Sequence, residues 1–210
     1  YYQNLFNVPV EEQGSSFSML NTGASWGLGS EDSLVNRGSG YNYGLEFTME
    51  RFFSRNIYYL ATLSLFQSKY EGSDGVERNT AFNGNYVLNM LVGKEFPINP
   101  RSTFFVDFKL SYAGGKCYTP VDLAASQAAG TTKYDETKAF SERFDPFFKA
   151  DIKVGYRMNG KKLSHEWLFY VENFTNNKNV LLQAYSKSEN EVKDLYQLGF
   201  FPMAQYRLHF

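Results

Sequence analysis

Apolar and polar residues alternate strictly along three stretches of the chain. Tyr41, Tyr43, Leu45, Phe47 and Met49 interleave with Asn42, Gly44, Glu46, Thr48 and Glu50. Phe104, Val106, Phe108, Leu110 and Tyr112 interleave with Phe105, Asp107, Lys109 and Ser111. Phe148, Ala150, Ile152, Val154, Tyr156 and Met158 interleave with Lys149, Asp151, Lys153, Gly155 and Arg157. Successive side chains of a β-strand point to opposite faces, so each stretch predicts a strand with one apolar and one polar face. Weaker versions of the pattern cover 56–70, 85–96 and 165–174, and the even positions from Tyr196 to Phe210 continue it at the end. Residues 1–6 read as the last part of an earlier strand. The expectation is about eight strands and no helix of length.

The connections alternate in length. Short ones fall at 53–56, 97–101 and 159–162, the last with an Asn159–Gly160 turn signal. Long ones, rich in Gly, Ser, Asn and charge, fall at 7–39, 71–83, 113–146 and 175–194. An antiparallel meander with short turns at one end and long loops at the other is the plan of an outer-membrane β-barrel.

Alternation fits both a soluble sheet with its apolar face inward and a membrane barrel with its apolar face toward lipid. Strand length and aromatic placement favour the barrel. The predicted strands run about 10–15 residues, against ~5–6 in typical soluble sheets and ~9–11 for a tilted crossing of the bilayer. Aromatic residues make up 18% of the chain. They cluster at strand ends (Tyr41, Tyr43, Phe52 and Phe53; Phe104 and Tyr112; Phe148 and Tyr156), as girdles at the two lipid–water interfaces would. Asp107 and Lys109 on one strand, with Lys149, Asp151 and Lys153 on the next, fall at similar depth on the polar face. They are the candidate lumen-facing residues, able to pair across the ladder. The simpler account is a solvated face whose pairs contribute little.

Composition narrows the chemistry. With 21 basic against 22 acidic residues, no general electrostatic grip on nucleic acid is expected. One cysteine, Cys117, excludes an internal disulfide, and with His165 and His209 it does not make an ordinary structural zinc site. Lys116 beside Cys117 can lower the thiol pKa, yet the thiol reads as incidental. His165 and His209 read as interfacial or lumenal polar residues. The acidic turns at 72–75 and 135–136 lack EF-hand spacing, so no metal site is expected. No stretch approaches the ~20 apolar residues of a membrane-spanning helix, and the opening residues do not resemble a signal peptide. Phosphate loops, nucleophile elbows and paired catalytic motifs are missing from the sequence, and neither an enzyme nor a cofactor is expected. Trp26, Tyr118, Tyr134 and Tyr185 fall in the long loops. There they are candidates for contact with a ligand or a surface lipoprotein, the alternative being that they pack the loops together.

Five phrases go further. NYGLEFTMERFFS (42–54), GSDGVERNTAFNGNYVLNMLVGKEF (72–96), YAGGKCYTPVDLAAS (112–126), EWLFYVENFTNNKNV (166–180) and YQLGFFPMAQYRLHF (196–210) run in order along nearly the whole chain. Together they resemble the C-terminal part of TonB-dependent outer-membrane receptors, especially the subgroup that begins with a carboxypeptidase-regulatory-like domain. The resemblance implies an all-β transmembrane antiparallel barrel of about 22 strands closed around a plug, of which this chain is about the last eight strands. It implies a Gram-negative outer-membrane location, with outer-membrane lipid around the wall and the long loops outside the cell. Capture of a scarce solute would be driven by the TonB complex through an N-terminal part that this chain lacks. In the family's closing strand, residues at the positions of Tyr206, Leu208 and Phe210 form the signal read by the barrel-assembly machinery. Two rival readings stay open: a complete small eight-stranded outer-membrane barrel acting as an adhesin or structural protein, and a soluble β-sandwich binding module.

Overall fold

A computed structural model describes residues 1–24 and 33–210 of the chain. Eight strands form one antiparallel meander in which every strand pairs with its predecessor on the path: β1 (Tyr2–Glu11), β2 (Leu34–Ser54), β3 (Ile57–Glu71), β5 (Tyr86–Asn99), β6 (Ser102–Ala113), β9 (Phe147–Asn159), β10 (Ser164–Glu172) and β13 (Phe201–His209). The short β4 (Glu77–Asn79) adds to the end of β3. The remaining elements belong to the long connections: β7 (Cys117–Tyr118) pairs with β8 (Glu142–Arg143), β11 (Val180–Ser186) pairs with β12 (Glu191–Tyr196), and α1 spans Leu123–Ala129. Among the described residues no helix is long and apolar enough to cross a membrane. The sheet is open: β1 and β13 do not pair with each other.

The short turns lie where the pattern places them. Arg55 and Asn56 both have positive φ, 52° and 62°, as the two-residue hairpin turn that matches strand twist requires. The β9–β10 turn is closed by the Gly160 N–H donating to the Leu163 carbonyl at 2.8 Å. Pro97 sits on β5 past Lys94, the last residue of that strand to pair with β3 (opposite Ile57). Its missing N–H therefore costs the ladder nothing.

Three boundaries differ from expectation. β1 runs to Glu11 and β2 begins at Leu34, so the first long connection is 12–33 rather than 7–39. The extra turns of strand lie among the loops, where neither face needs an apolar stripe, so alternation is lost while the ladder continues. At the other end, Tyr196 closes the β11–β12 hairpin, and the chain re-enters the sheet only at Phe201. The even-position pattern from 196 to 210 thus spans two separate strands.

Register aligns the faces. Leu63, Leu88, Tyr112 and Phe148 form one cross-strand row, and Val92, Phe108, Ile152 and Val171 another. Phe96, Phe104, Tyr156, Trp167 and Tyr206 form a third row toward the short turns. All lie on one continuous apolar face. Tyr86, Tyr112 and Phe148 ring its loop end, with centroids 5.4 and 6.4 Å apart. Tyr156, Trp167 and Tyr206 ring its turn end at 6.0 and 5.7 Å. The eight steps between Phe104 and Tyr112 span about 27 Å of strand at ~3.4 Å per residue, which strand tilt brings near the ~25 Å apolar band of a membrane barrel.

Burial runs opposite to that of a water-soluble sheet. Leu45, Phe47, Met49 and Phe169 on the apolar face are half or more exposed, whereas Asp107, Asp151 and Glu166 on the polar face are 8%, 3% and 5% exposed. Much of the apolar core sits under the long loops, where Val8, Val10, Tyr70, Ala81, Cys117 and Ala139 are all buried; Phe105, Ala150, Leu168 and Val171 are buried on the strands. Tyr70 belongs to the polar side of β3, opposite Gly40. Its hydroxyl donates to the Ser16 carbonyl at 2.8 Å and its ring meets Phe140 edge-on. The loops therefore fold inward over the polar face.

Candidate functional site

The polar face is the part of the molecule with organised chemistry. Four of its five predicted residues, Asp107, Lys149, Asp151 and Lys153, are joined in ion pairs. Asp107 lies opposite Lys153 and pairs with it at 2.5 Å, and the Tyr58 hydroxyl donates to the same carboxylate at 2.8 Å. Lys109 lies opposite Asp151, but the ammonium that approaches Asp151 belongs to Lys149, at 3.7 Å. Lys149 makes its shorter contact with Glu172, at 2.5 Å, and Glu172 also accepts from Tyr170 at 3.2 Å. Asp151 receives the backbone N–H of Asn173 at 2.8 Å. Lys109 is exposed on the same face. A carboxylate this deeply buried is stable only with its charge and lone pairs engaged, and here each has at least one donor.

Two glycines let aromatic rings lie flat against this face. A Cβ on Gly93 would run into the Tyr58 ring, and one on Gly155 into the Phe105 ring. Phe105 is in turn flanked by Lys153 and Arg157, at 5.8 and 5.4 Å from its centroid. The aromatic–glycine contacts cover part of the polar face and give the cations a ring to rest against.

A second charge cluster, not anticipated from the sequence, lies nearer the short turns. Glu166 has Arg157 at 3.3 Å, His209 at 3.5 Å and Arg207 at 3.8 Å, and Arg157 also reaches Glu95 at 3.4 Å. All these residues fall on the polar side of the alternation. Their meeting depends on strand order and register, so only the side of the sheet was readable in advance.

The loop end is tied together by amides. Asn173, 1% exposed with φ of 47°, accepts from the Asn177 N–H at 3.0 Å and donates to the Asn177 carbonyl at 2.9 Å. Asn179 accepts from the Phe148 N–H at 2.9 Å and donates back to its carbonyl at 2.8 Å, stitching the last long loop to β9. Asparagine suits such junctions because it tolerates left-handed backbone and mimics a peptide group. Arg143 caps the Asn83 and Gly115 carbonyls at 2.6 and 3.1 Å. In the acidic turns, Asp74 grips Arg78 with both carboxylate oxygens, at 2.9 and 2.6 Å. Arg78 holds that carboxyl below its ordinary range. Asp135 receives the Thr137 hydroxyl and backbone N–H, and its pKa is lowered mainly by that hydroxyl.

Of the four loop aromatics, Trp26 lies outside the described residues. Tyr118 stacks on Phe144 at 4.0 Å with the rings 12° from parallel, and burial pushes its hydroxyl pKa up. The Tyr185 hydroxyl donates to Asn190, and its backbone N–H donates to the Thr132 hydroxyl of the neighbouring loop. Both residues tie loops together. Tyr134 is 47% exposed, the loop aromatic of this set with a free surface. The Cys117 thiol is pushed up by burial, which outweighs the downward pull of Arg143 and Lys69. Lys116, its neighbour in sequence, is exposed and is not among the causes.

Tyr206 and Leu208 lie on the apolar face of β13, opposite Trp167 and His165, and Phe210 follows the end of the strand, fully exposed. The Tyr206 hydroxyl bonds His165 Nδ1 at 2.7 Å. Beside them a shallow apolar depression of about 540 Å³ is lined by Phe104, Tyr156, Trp167, Phe169 and Ala204. Compared with known proteins, the chain has no match among family models, curated sequences or solved structures.

Proposed function

We infer that this sheet is part of the wall of an outer-membrane β-barrel belonging to a TonB-dependent active transporter. One observation carries the membrane reading: a continuous apolar face ringed by aromatics is exposed, while the charged face is sequestered and internally paired. In water that arrangement is unfavourable by about 25 cal/mol per Å² of apolar surface, and in a bilayer it is the expected one. No second sheet covers the apolar face among the described residues, which counts against a soluble sandwich. The unpaired outer edges of β1 and β13 favour a larger barrel over a closed eight-stranded one. The transporter class rests on the five sequence phrases and their order.

On this reading the chain provides wall, external loop surface and the closing strand with its assembly residues Tyr206, Leu208 and Phe210. Solute capture falls to the loops, with Tyr134 the best-placed aromatic. Energy coupling to the TonB complex acts through parts of the protein beyond these residues, and a surface lipoprotein is a possible loop partner. The test is detergent extraction of the native polypeptide from outer membranes, followed by intact mass. A membrane-embedded polypeptide several times heavier than 24.1 kDa is expected. A mass near 24.1 kDa would favour the small closed barrel, and recovery in the soluble fraction would defeat the membrane reading altogether.

A further inference from the structure

Arg207 and His209, two basic residues on the polar side of the last strand, converge on one carboxylate. Arg207 lies directly opposite Glu166, and His209 lies on its diagonal, opposite Ser164. Across the other edge of β10, Arg157 is also directly opposite Glu166 and reaches on to Glu95 of β5. One buried side chain thus gathers charges from β9 and β13 and, through Arg157, from β5.

The apolar pattern cannot select this register by itself. A one-residue slip of β13 turns Tyr206 and Leu208 to the wrong face and is excluded by hydrophobicity. A two-residue slip keeps every apolar residue outward, setting Ala204 or Leu208 opposite Trp167 in place of Tyr206. What that slip changes is the partner of Glu166. In one direction Gln205 stands opposite it, and in the other the imidazole of His209 takes the place of the guanidinium. Only the native register brings a guanidinium of β13 directly opposite the buried carboxylate, adding a second arginine to Arg157 of β9, which faces Glu166 in every register of β13.

We propose that Glu166 is a positioning residue, a charge clamp that fixes β13 in register against β10 and so presents Tyr206, Leu208 and Phe210 at the right height for the assembly machinery. The presentation step rests on the outer-membrane reading; the register step does not.

Cross-strand disulfides in the full-length protein carrying Cys117→Ser read the register directly. Ala204→Cys with Phe169→Cys, directly opposite, traps the native pairing. Ala204→Cys with Val171→Cys or Trp167→Cys traps the two-residue slips. Glu166→Gln should lower the ratio of native to slipped crosslink by up to about fivefold, as loss of a half-exposed ion pair at 3.8 Å gives, while Glu166→Asp keeps most of it. If Glu166→Gln does not accumulate, Arg207→Gln reads the same shift. A native ratio unchanged in Glu166→Gln, or in its substitute Arg207→Gln, overturns the clamp. Fractionation of the parent protein separates the two ideas: soluble recovery defeats the membrane reading, and the crosslink ratio still decides the register.

Discussion

The two halves of the sheet solve the same problem differently. In β6, β9 and β10 the polar face is packed: Asp107, Asp151 and Glu166 are buried and paired, Phe105 lies over Gly155, and aromatics ring both ends of the apolar face. In β2 both faces are open. Leu45, Phe47 and Met49 are about 60% exposed on one side, and Glu46, Thr48 and Glu50 are exposed on the other. Glu46 and Glu50 have no ion-pair partner among the described residues. The packed half satisfies its own buried charges. The open half leaves its carboxylates exposed on the polar side. Identical alternation in sequence therefore produces two interiors, and the difference lies in whether cations stand opposite the acids.

Substitutions can break that contrast. The largest effect is expected from Asp107→Ala, which leaves Lys153 without its carboxylate and the Tyr58 hydroxyl without its acceptor. Since Lys153 keeps some solvent access, the expected loss is about 2–3 kcal/mol, below the usual cost of breaking a fully buried pair. Glu46→Ala should stay within about 0.5 kcal/mol. Urea unfolding in detergent, followed by tryptophan fluorescence, measures both, and equal costs would erase the distinction between the halves.

Gly155→Ala comes next, at about 1–3 kcal/mol, because the added methyl meets the buried Phe105 ring. Phe105→Leu in the same chain should recover part of that loss. Strictly additive costs in the double-mutant cycle would mean the ring does not cover the glycine.

Asn173→Ala should cost about 1–2 kcal/mol by removing the acceptor of the Asn177 N–H. The expected sign is faster proteolysis within 174–200 with the strands intact, and unchanged cleavage would assign the junction to Asn179 instead.

A smaller effect belongs to the Asp74–Arg78 pair in the loop after β3, worth up to about 1 kcal/mol. Its folded carboxyl is depressed below the ordinary value of 3.8. The pair therefore contributes fully above that value and loses its contribution as the pH falls through the lower folded one. Asp74→Asn should flatten this acid-side decline in loop protection, and an identical decline in both proteins would exclude the pair as its source.

Much of the fold was legible because period-two alternation is a local property. The runs through Leu45, Phe108 and Val154 specify strands whatever their neighbours, and Asn159–Gly160 marks its turn. α1 was also readable in principle, since Asp122 before an Ala-rich stretch and Gly130 after it are helix start and stop signals; Asp122 accepts from the Ala125 N–H at 2.9 Å and Gly130 adopts a φ of 67°. The β11–β12 hairpin was not legible, because Val180–Ser186 does not alternate and is held by its partner strand. In the candidate site, the side of the sheet taken by Asp107, Lys149, Asp151 and Lys153 followed from their odd positions. The pairing of Lys149 with Glu172, rather than a ladder pair between Lys109 and Asp151, did not.

By itself the sequence determined most of the main-sheet strands, which of their residues share a face, and that one face is apolar and rimmed by aromatics. Each is fixed by neighbours one or two residues away. Only the tertiary structure decided that the charged face is the sequestered one, that the loops fold inward over it around Tyr70, and that Glu166 gathers Arg157, Arg207 and His209. Those contacts join residues far apart in the chain, 62 positions in the pair of Arg157 with Glu95. Strand order and register, which no local pattern encodes, bring them within a few ångströms.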